Sequence, residues 1–232
     1  MSKEAKVKST QRETSPADQT RAALVHAALK LFGRQGFDGT STREIAAEAK
    51  ANIGSIAYHF GGKEGLRAAA ADFIVETIQE VAGQALGPAR PAANPQAARE
   101  QLFTVLERMV DFVVATPQAG EIVQFVLREL SHPTAALDRI YAGVFEPTHR
   151  RLCQVWAQAT GEPAESETTK LTVFTVIGQV VYFRIGREAV MRRMGWREIG
   201  KAEAAKVAAV ATGNLRAMLA ARAPARGKEG KS

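Results

Sequence analysis

With 232 residues, the chain can hold one small domain and one larger domain with a core of its own. A single cysteine, Cys153, excludes an internal disulfide and, set between apolar neighbours, reads as a small packed hydrophobe rather than a sensor thiol. The net charge of +7 suits a polyanionic partner, but residues 184–232 hold 12 basic against 4 acidic side chains, so charge alone does not locate a binding surface.

Residues 1–18 are polar and lack an aromatic side chain, which predicts a disordered arm from which Lys3, Lys6, Lys8 and Arg12 can add phosphate contacts. The absence of an apolar core segment in this stretch argues against a signal peptide and leads to an expected cytoplasmic location. From Thr20 the pattern changes. Leu24, Ala27, Ala28, Leu31 and Phe32 fall on one helical face, and Gly36 ends that helix. Ser41 followed by Glu44 is a capping box that starts a second helix, predicted to run to about Ala49. After a four-residue turn, Asn52 caps a third helix, with Ile53, Ile56, Ala57 and Phe60 expected inside and Gly54, Ser55, Tyr58 and His59 outside. Two helices so joined, the second presenting small and polar side chains, form a helix-turn-helix whose second helix enters the DNA major groove. This domain is expected over residues 19–65.

A fourth helix is expected from near Lys63, with Leu66, Ala70, Phe73, Ile74, Thr77, Ile78 and Val81 on its inner side. Gly87–Pro95, with three prolines, reads as a loop. Helical stripes follow at Leu102, Val105, Met109 and Phe112, at Ile122, Phe125 and Val126, at Leu137, Ile140, Tyr141 and Val144, and at Leu152, Val155 and Trp156. Leu171–Ile185 is apolar on nearly every face and must be covered on all sides. Its longest apolar run, Leu171–Phe183, is interrupted by Thr172, Thr175 and Gln179 and falls short of the roughly 20 residues that span a membrane. Val207, Val210, Ala211, Leu215 and Met218 supply a last stripe. No segment alternates with the period of a half-buried strand, so the fold is read as all-α. It comprises an N-terminal three-helix domain, a helical C-terminal domain over 66–222 and a tail at 223–232.

The stretch Thr42–Leu66, TREIAAEAKANIGSIAYHFGGKEGL, resembles the TetR/AcrR family of bacterial regulators, most distinctively at Tyr58-His59-Phe60 and Lys63-Glu64-Gly65-Leu66. Arg128-Glu129-Leu130 with Pro133, and Pro147 with His149, are similar to the C-terminal domain of the CerR-like subgroup. The family usually has Gly where this chain has Lys50, at a turn position that tends toward positive φ. The resemblance implies a homodimer formed by the last two long helices and an inverted-repeat operator in double-stranded DNA. It also implies a small, largely apolar effector held between helices of the second domain.

Within the reading module, Thr42 and Arg43 sit in the first turn of the second helix, where a phosphate is favoured. Tyr58, His59 and Lys63 match family positions that touch the DNA backbone, and Asn52, Gly54 and Ser55 are the candidates for base edges. Packing within the small domain is the other role open to Tyr58 and His59, as helix capping is for Lys63. Phe103, Met109, Phe112, Phe125, Phe174 and Tyr182 are candidate effector-pocket residues. The competing reading is a metal protein or enzyme built on two carboxylate-histidine pairs, Glu129/His132 and Glu146/His149. Pro133 and Pro147 give those pairs a poor helical context, so no catalytic residue, metal or cofactor is expected.

Overall fold

The computed structural model describes residues 15–87 and 90–222. Among these, every regular element is helical: α1 (Pro16–Gln35), α2 (Thr42–Glu48), α3 (Gly54–Phe60), α4 (Lys63–Leu86), α5 (Pro95–Val110), α6 (Pro117–Ser131), α7 (Ala135–Ile140), α8 (Glu146–Thr160), α9 (Glu167–Ile185), α10 (Arg187–Met194) and α11 (Lys201–Ala221). Two π-helical stretches, Asp111–Ala115 and Tyr141–Phe145, continue α5 and join α7 to α8.

The first helix starts ahead of the expected boundary. Ser15 Oγ accepts from the Asp18 N–H at 3.1 Å, the Asp18 carboxylate accepts from the Ser15 N–H at 3.3 Å, and Pro16 fills the first turn. A capping box with proline behind it overrides the polar composition of the segment. The arm expected over 1–18 therefore loses Pro16–Asp18 to α1, with Ser15 as its cap; residues 1–14, and the tail expected at 223–232, lie outside the described residues.

Two apolar clusters organise the rest. One joins the buried faces of α1–α4 to Ile122, Phe125 and Val126 of α6 and Ala136 and Ile140 of α7. The other is built from α5, α8, α9 and α11 around Trp156. The small domain is thus not closed by its own three helices, because α6 lies along α1 and completes its core. Gly33 permits this approach: a Cβ there would stand 3.2 Å from both Gln124 Cβ and the Phe125 backbone nitrogen. Phe125, one of the expected effector residues, is 1% exposed and belongs to this interdomain core. Phe112 touches both clusters.

α5 and α6 meet at an angle of 87°. No single helix among the described residues is long and apolar enough to cross a membrane. The expected stripe of α11 is met at Val207, Ala211 and Leu215, whereas Val210 turns outward. α9 buries Val173 and Val180 but leaves Leu171, Phe174, Tyr182 and Ile185 exposed, so the cover its composition demands is only partly supplied by the described residues.

Phe125→Ala is expected to cost about 3–5 kcal/mol, because it opens a cavity where α6 enters the core of the small domain. Urea unfolding followed by circular dichroism measures the loss.

Candidate nucleic-acid interface

The reading module is assembled by local rules. Ser41 Oγ accepts from the Glu44 N–H at 3.2 Å and the Glu44 carboxylate accepts from the Ser41 N–H at 2.7 Å, as the capping pattern predicts. Hydrogen bonding by the Ser41 backbone N–H, and then by its hydroxyl, holds the Glu44 carboxyl below its ordinary value. Its stabilisation is therefore complete above the usual carboxylate range and fades as pH falls through that lowered value. Buried Thr40 secures the preceding loop by donating to the Gly36 carbonyl at 2.7 Å. Glu48, at the end of α2, pairs with Lys30 of α1.

The turn between α2 and α3 is a Schellman closure. Ala51 N–H donates to the Ala46 carbonyl at 2.9 Å, and Lys50 N–H to the Ala47 carbonyl at 3.1 Å. That closure requires a left-handed residue between the two, and Lys50 supplies it at φ 51°, the one non-glycine residue with positive φ among the described residues. Asn52 then sets the start of α3, its Oδ1 accepting from the Gly54 N–H at 2.8 Å. It acts one residue upstream of the helix-flanking Ile53 rather than as the flanking residue itself.

α3 has seven residues, and Ile56 is its buried anchor. Ile53, which precedes the helix, is 46% exposed, and Ala57 is also exposed, against the expectation that both pack inward. So short a helix has one face to bury, and Ile56 with half-buried Phe60 takes it. The outward surface is consequently Ile53, Gly54, Ala57 and Tyr58, the last 83% exposed, with Ser55 and His59 half-buried beside it. Tyr58 and His59 meet edge to face at 4.9 Å. Thr42 and exposed Arg43 open α2, while exposed Lys50 and Asn52 follow its other end. The apolar contribution of Ile53 and Ala57 was the part sequence periodicity missed; it offers methyl groups, which suit a thymine methyl.

The junction with α4 is equally constrained. A Cβ on Gly65 would lie 1.8 Å from the Phe60 carbonyl oxygen, so the Lys63-Glu64-Gly65-Leu66 motif requires glycine where α4 starts against the end of α3. Lys63 Nζ lies 4.2 Å from the Phe37 ring centroid and Arg67 3.9 Å, two cations on one aromatic ring beside the module.

The remaining candidates fall elsewhere. An apolar cleft of about 30 Å3 lies between α5, α8, α9 and α11, lined by Leu106, Met109, Trp156, Val173, Ile177 and Leu215 among others. Of the six expected effector residues only Met109 lines it. Phe103 lies under the Arg216 guanidinium at 5.0 Å, while Phe174 and Tyr182 are 58% and 57% exposed on α9. Helical periodicity marks all of these as inward-facing but does not say which helix faces which.

The two carboxylate-histidine pairs do not converge on a metal. Buried Glu129 accepts from the Thr134 hydroxyl, exposed Glu146 pairs with Arg150, and His149 stacks on Phe174 at 3.9 Å with its Nε2 3.2 Å from the Lys170 carbonyl oxygen. No group of three or more His, Cys, Asp or Glu side chains among the described residues is arranged to hold a metal. Cys153 is buried 3.7 Å from His149 Nδ1, and burial pushes its thiol up from the ordinary value, away from the reactive thiolate.

Lys50→Gly is expected to stabilise the protein by about 1 kcal/mol, the left-handed penalty relieved less the extra entropy that glycine loses. The midpoint of thermal unfolding should rise, with operator affinity retained because the turn keeps its shape.

Comparison with known proteins agrees with this geometry. Residues 24–70 match the family described as bacterial regulatory proteins, tetR family, and residues 98–222 match the C-terminal domain of the HTH-type transcriptional dual regulator CecR. The CecR protein of Shigella flexneri is 34% identical over 188 residues, spanning 79% of this chain and 83% of its own. Among solved structures, a transcriptional regulator from Pseudomonas aeruginosa PAO1 superposes with a TM-score of 0.65 at 20% identity, covering 89% of this chain and 93% of that one. AibR, solved in complex with isovaleryl coenzyme A and operator DNA, superposes at 0.61 with 18% identity, covering 84% and 97%. These relatives are transcriptional regulators rather than enzymes, and the chain belongs to the TetR family of DNA-binding transcriptional regulators, with a C-terminal domain of the CecR type.

Proposed function

We propose that this regulator is a dimeric repressor that binds an inverted-repeat operator and is released by a small, largely apolar effector. The observation that carries the dimer is the uncovered face of α9. Leu171, Phe174, Gly178, Tyr182 and Ile185 recur at helical spacing along it, beside a run of exposed small residues on α11, Ala205, Ala209, Gly213 and Ala217. Large exposed apolar stripes mark interaction surfaces, and small residues let a partner helix approach closely. Four such helices from two chains form a bundle.

Dimerisation supplies what one reading head lacks. Gly54 and Ser55 discriminate weakly between bases, so α3 alone reads little sequence. Two-fold pairing sets a second α3 in the next stretch of major groove, about 34–36 Å away. Thr42, Arg43, Tyr58, His59 and Lys63 serve the phosphates, while Asn52, Gly54 and Ser55, joined by Ile53 and Ala57, face the bases.

The wholly apolar lining of the cleft between α5 and α9 supports an uncharged effector or the uncharged part of a larger one. AibR, a protein of the same fold, is described with an acyl coenzyme A and operator DNA. A cleft of this size admits about one water, so an effector has to widen it. An effector that prefers the widened state by ~1–3 kcal/mol weakens operator binding about 5- to 150-fold. The Shigella relative is described as a dual regulator, which makes activation at some promoters the second reading.

Selection of bound fragments from the source genome, followed by footprinting at moderate salt, tests the proposal. One protected inverted repeat overlapping a promoter is the expected result; sequence-independent retention that disappears with salt would overturn it. On that operator, Tyr58→Ala and Lys63→Ala should each weaken binding about tenfold, the worth of one charge-assisted contact, without changing the sedimentation of the free protein. Lys63→Ala should also lower the salt dependence by about one phosphate's worth.

A further inference from the structure

The elbow between α5 and α6 holds a cation that DNA reading does not call for. α5 widens into the π-helical stretch Asp111–Ala115 and breaks at Thr116, where the chain turns through 87°. The last carbonyls of a helix have no intrahelical donor and carry the negative end of its dipole. Arg184 of α9 enters this turn. Its Nε donates to the Val113 carbonyl at 2.6 Å, and its Nη2 donates to the carbonyls of Val114 at 3.0 Å and Thr116 at 2.7 Å. Among the described residues no carboxylate forms an ion pair with it, so its planar fork is committed to these three carbonyls. Gly120, at the start of α6, leaves room for the guanidinium; a Cβ there would lie 3.4 Å from Nη1.

The far end of α6 is seated in the same manner. Arg128 Nη2 donates to the Arg34 carbonyl at 2.9 Å and its Nε to the Gly33 carbonyl at 3.4 Å, at the C-terminus of α1. Between the two arginines, Ile122 and Phe125 are buried in the core of the small domain. α6 is therefore fixed at one end to α9 and at the other to the helix that supports the reading module. The apolar cleft lies just ahead of both partners in the elbow: Leu106 and Met109 line it from α5, and Val173, Val176 and Ile177 from α9. α9 meets the end of α5 at this elbow through Arg184, so a change in the separation of α5 and α9 bears on those three bonds.

We propose that Arg184 is a positioning residue that couples the α5–α9 separation to the tilt of the DNA-reading domain, with α6 as the rigid link and Arg128 as its second anchor. The ligand-driven use of this link rests on the repressor reading above; the mechanical link itself does not. In the tight state the three carbonyls hold the elbow against α9. Widening the cleft draws α5 away, loosens this contact and lets α6 shift on α1.

The test is hydrogen–deuterium exchange on the full-length protein, with operator affinity measured beside it, for wild type, Arg184→Gln, Arg128→Gln and the double variant. Arg184→Gln should speed exchange at residues 111–120 and also at 31–36 in α1, outside its own contacts, while the mass of the assembly is unchanged. Operator affinity should change about 2- to 30-fold. The double variant should match the more affected single variant rather than the product of the two, since both act through one link. Faster exchange confined to 111–120 with unaltered affinity, or effects that multiply, would overturn the coupling. Should Arg184→Gln fail to fold, Arg184→Lys keeps the charge and stem while losing the fork, and Arg128→Gln alters an exposed side chain; the same comparison applies to both. If wild type binds no operator, the repressor reading falls while exchange still decides the coupling. If wild type and Arg184→Gln bind equally and α1 exchange is the same, the coupling falls and the repressor reading stands.

Discussion

The seating of α6 along α1 is the contact on which the other parts depend. A head of one long and two short helices buries too little apolar surface to be secure alone. This one borrows Ile122, Phe125 and Val126 from α6 and Ala136 and Ile140 from α7. The loan works because Gly33 presents no side chain to Gln124 and the Phe125 backbone. Stability of the reading head and its attachment to the larger domain are consequently one property. A helix that fills the core of one domain while bending at 87° from a helix of the other cannot move without disturbing both.

In the proposed function, DNA reading relies on placement more than on strong individual contacts. α3 offers a tyrosine ring, methyl groups and a hydroxyl, with Arg43 exposed on α2 and Lys63 at the start of α4. In the proposed function, phosphate contacts supply affinity and fix register, and the weakly selective outward face of α3 then discriminates by fit. The aim of α3 is set by backbone devices: the left-handed Lys50, the Asn52 side chain on the Gly54 N–H, and the absence of a Cβ at Gly65.

Features of the module encoded within a few residues were legible in the sequence. Ser41 with Glu44, Gly36 after α1, the unusual Lys50 and the all-helical periodicity each follow from local rules, and each is found in the structure. Ser15 and Asp18 carry the same capping signal as Ser41 and Glu44, but the polar composition around them hid it. Errors grew with tertiary dependence. The outward turn of Ile53 and Ala57 follows from the shortness of α3, and the burial of Phe125 in the other domain's core from α6 docking. That Met109 alone of six candidates lines the cleft depends on which stripes of α5, α8, α9 and α11 meet, and a stripe does not name its partner. The two π-helical stretches and the short α10 leave no periodic trace for the same reason.

The most direct measurement of the central claim, two coupled heads reading one operator, is the native mass of complexes formed with a duplex bearing the inverted repeat and with one bearing a single half-site. The account predicts two 25.0 kDa chains on the repeat and little complex with the half-site at the same concentration. One chain per duplex, bound to the half-site as tightly as to the repeat, would contradict it.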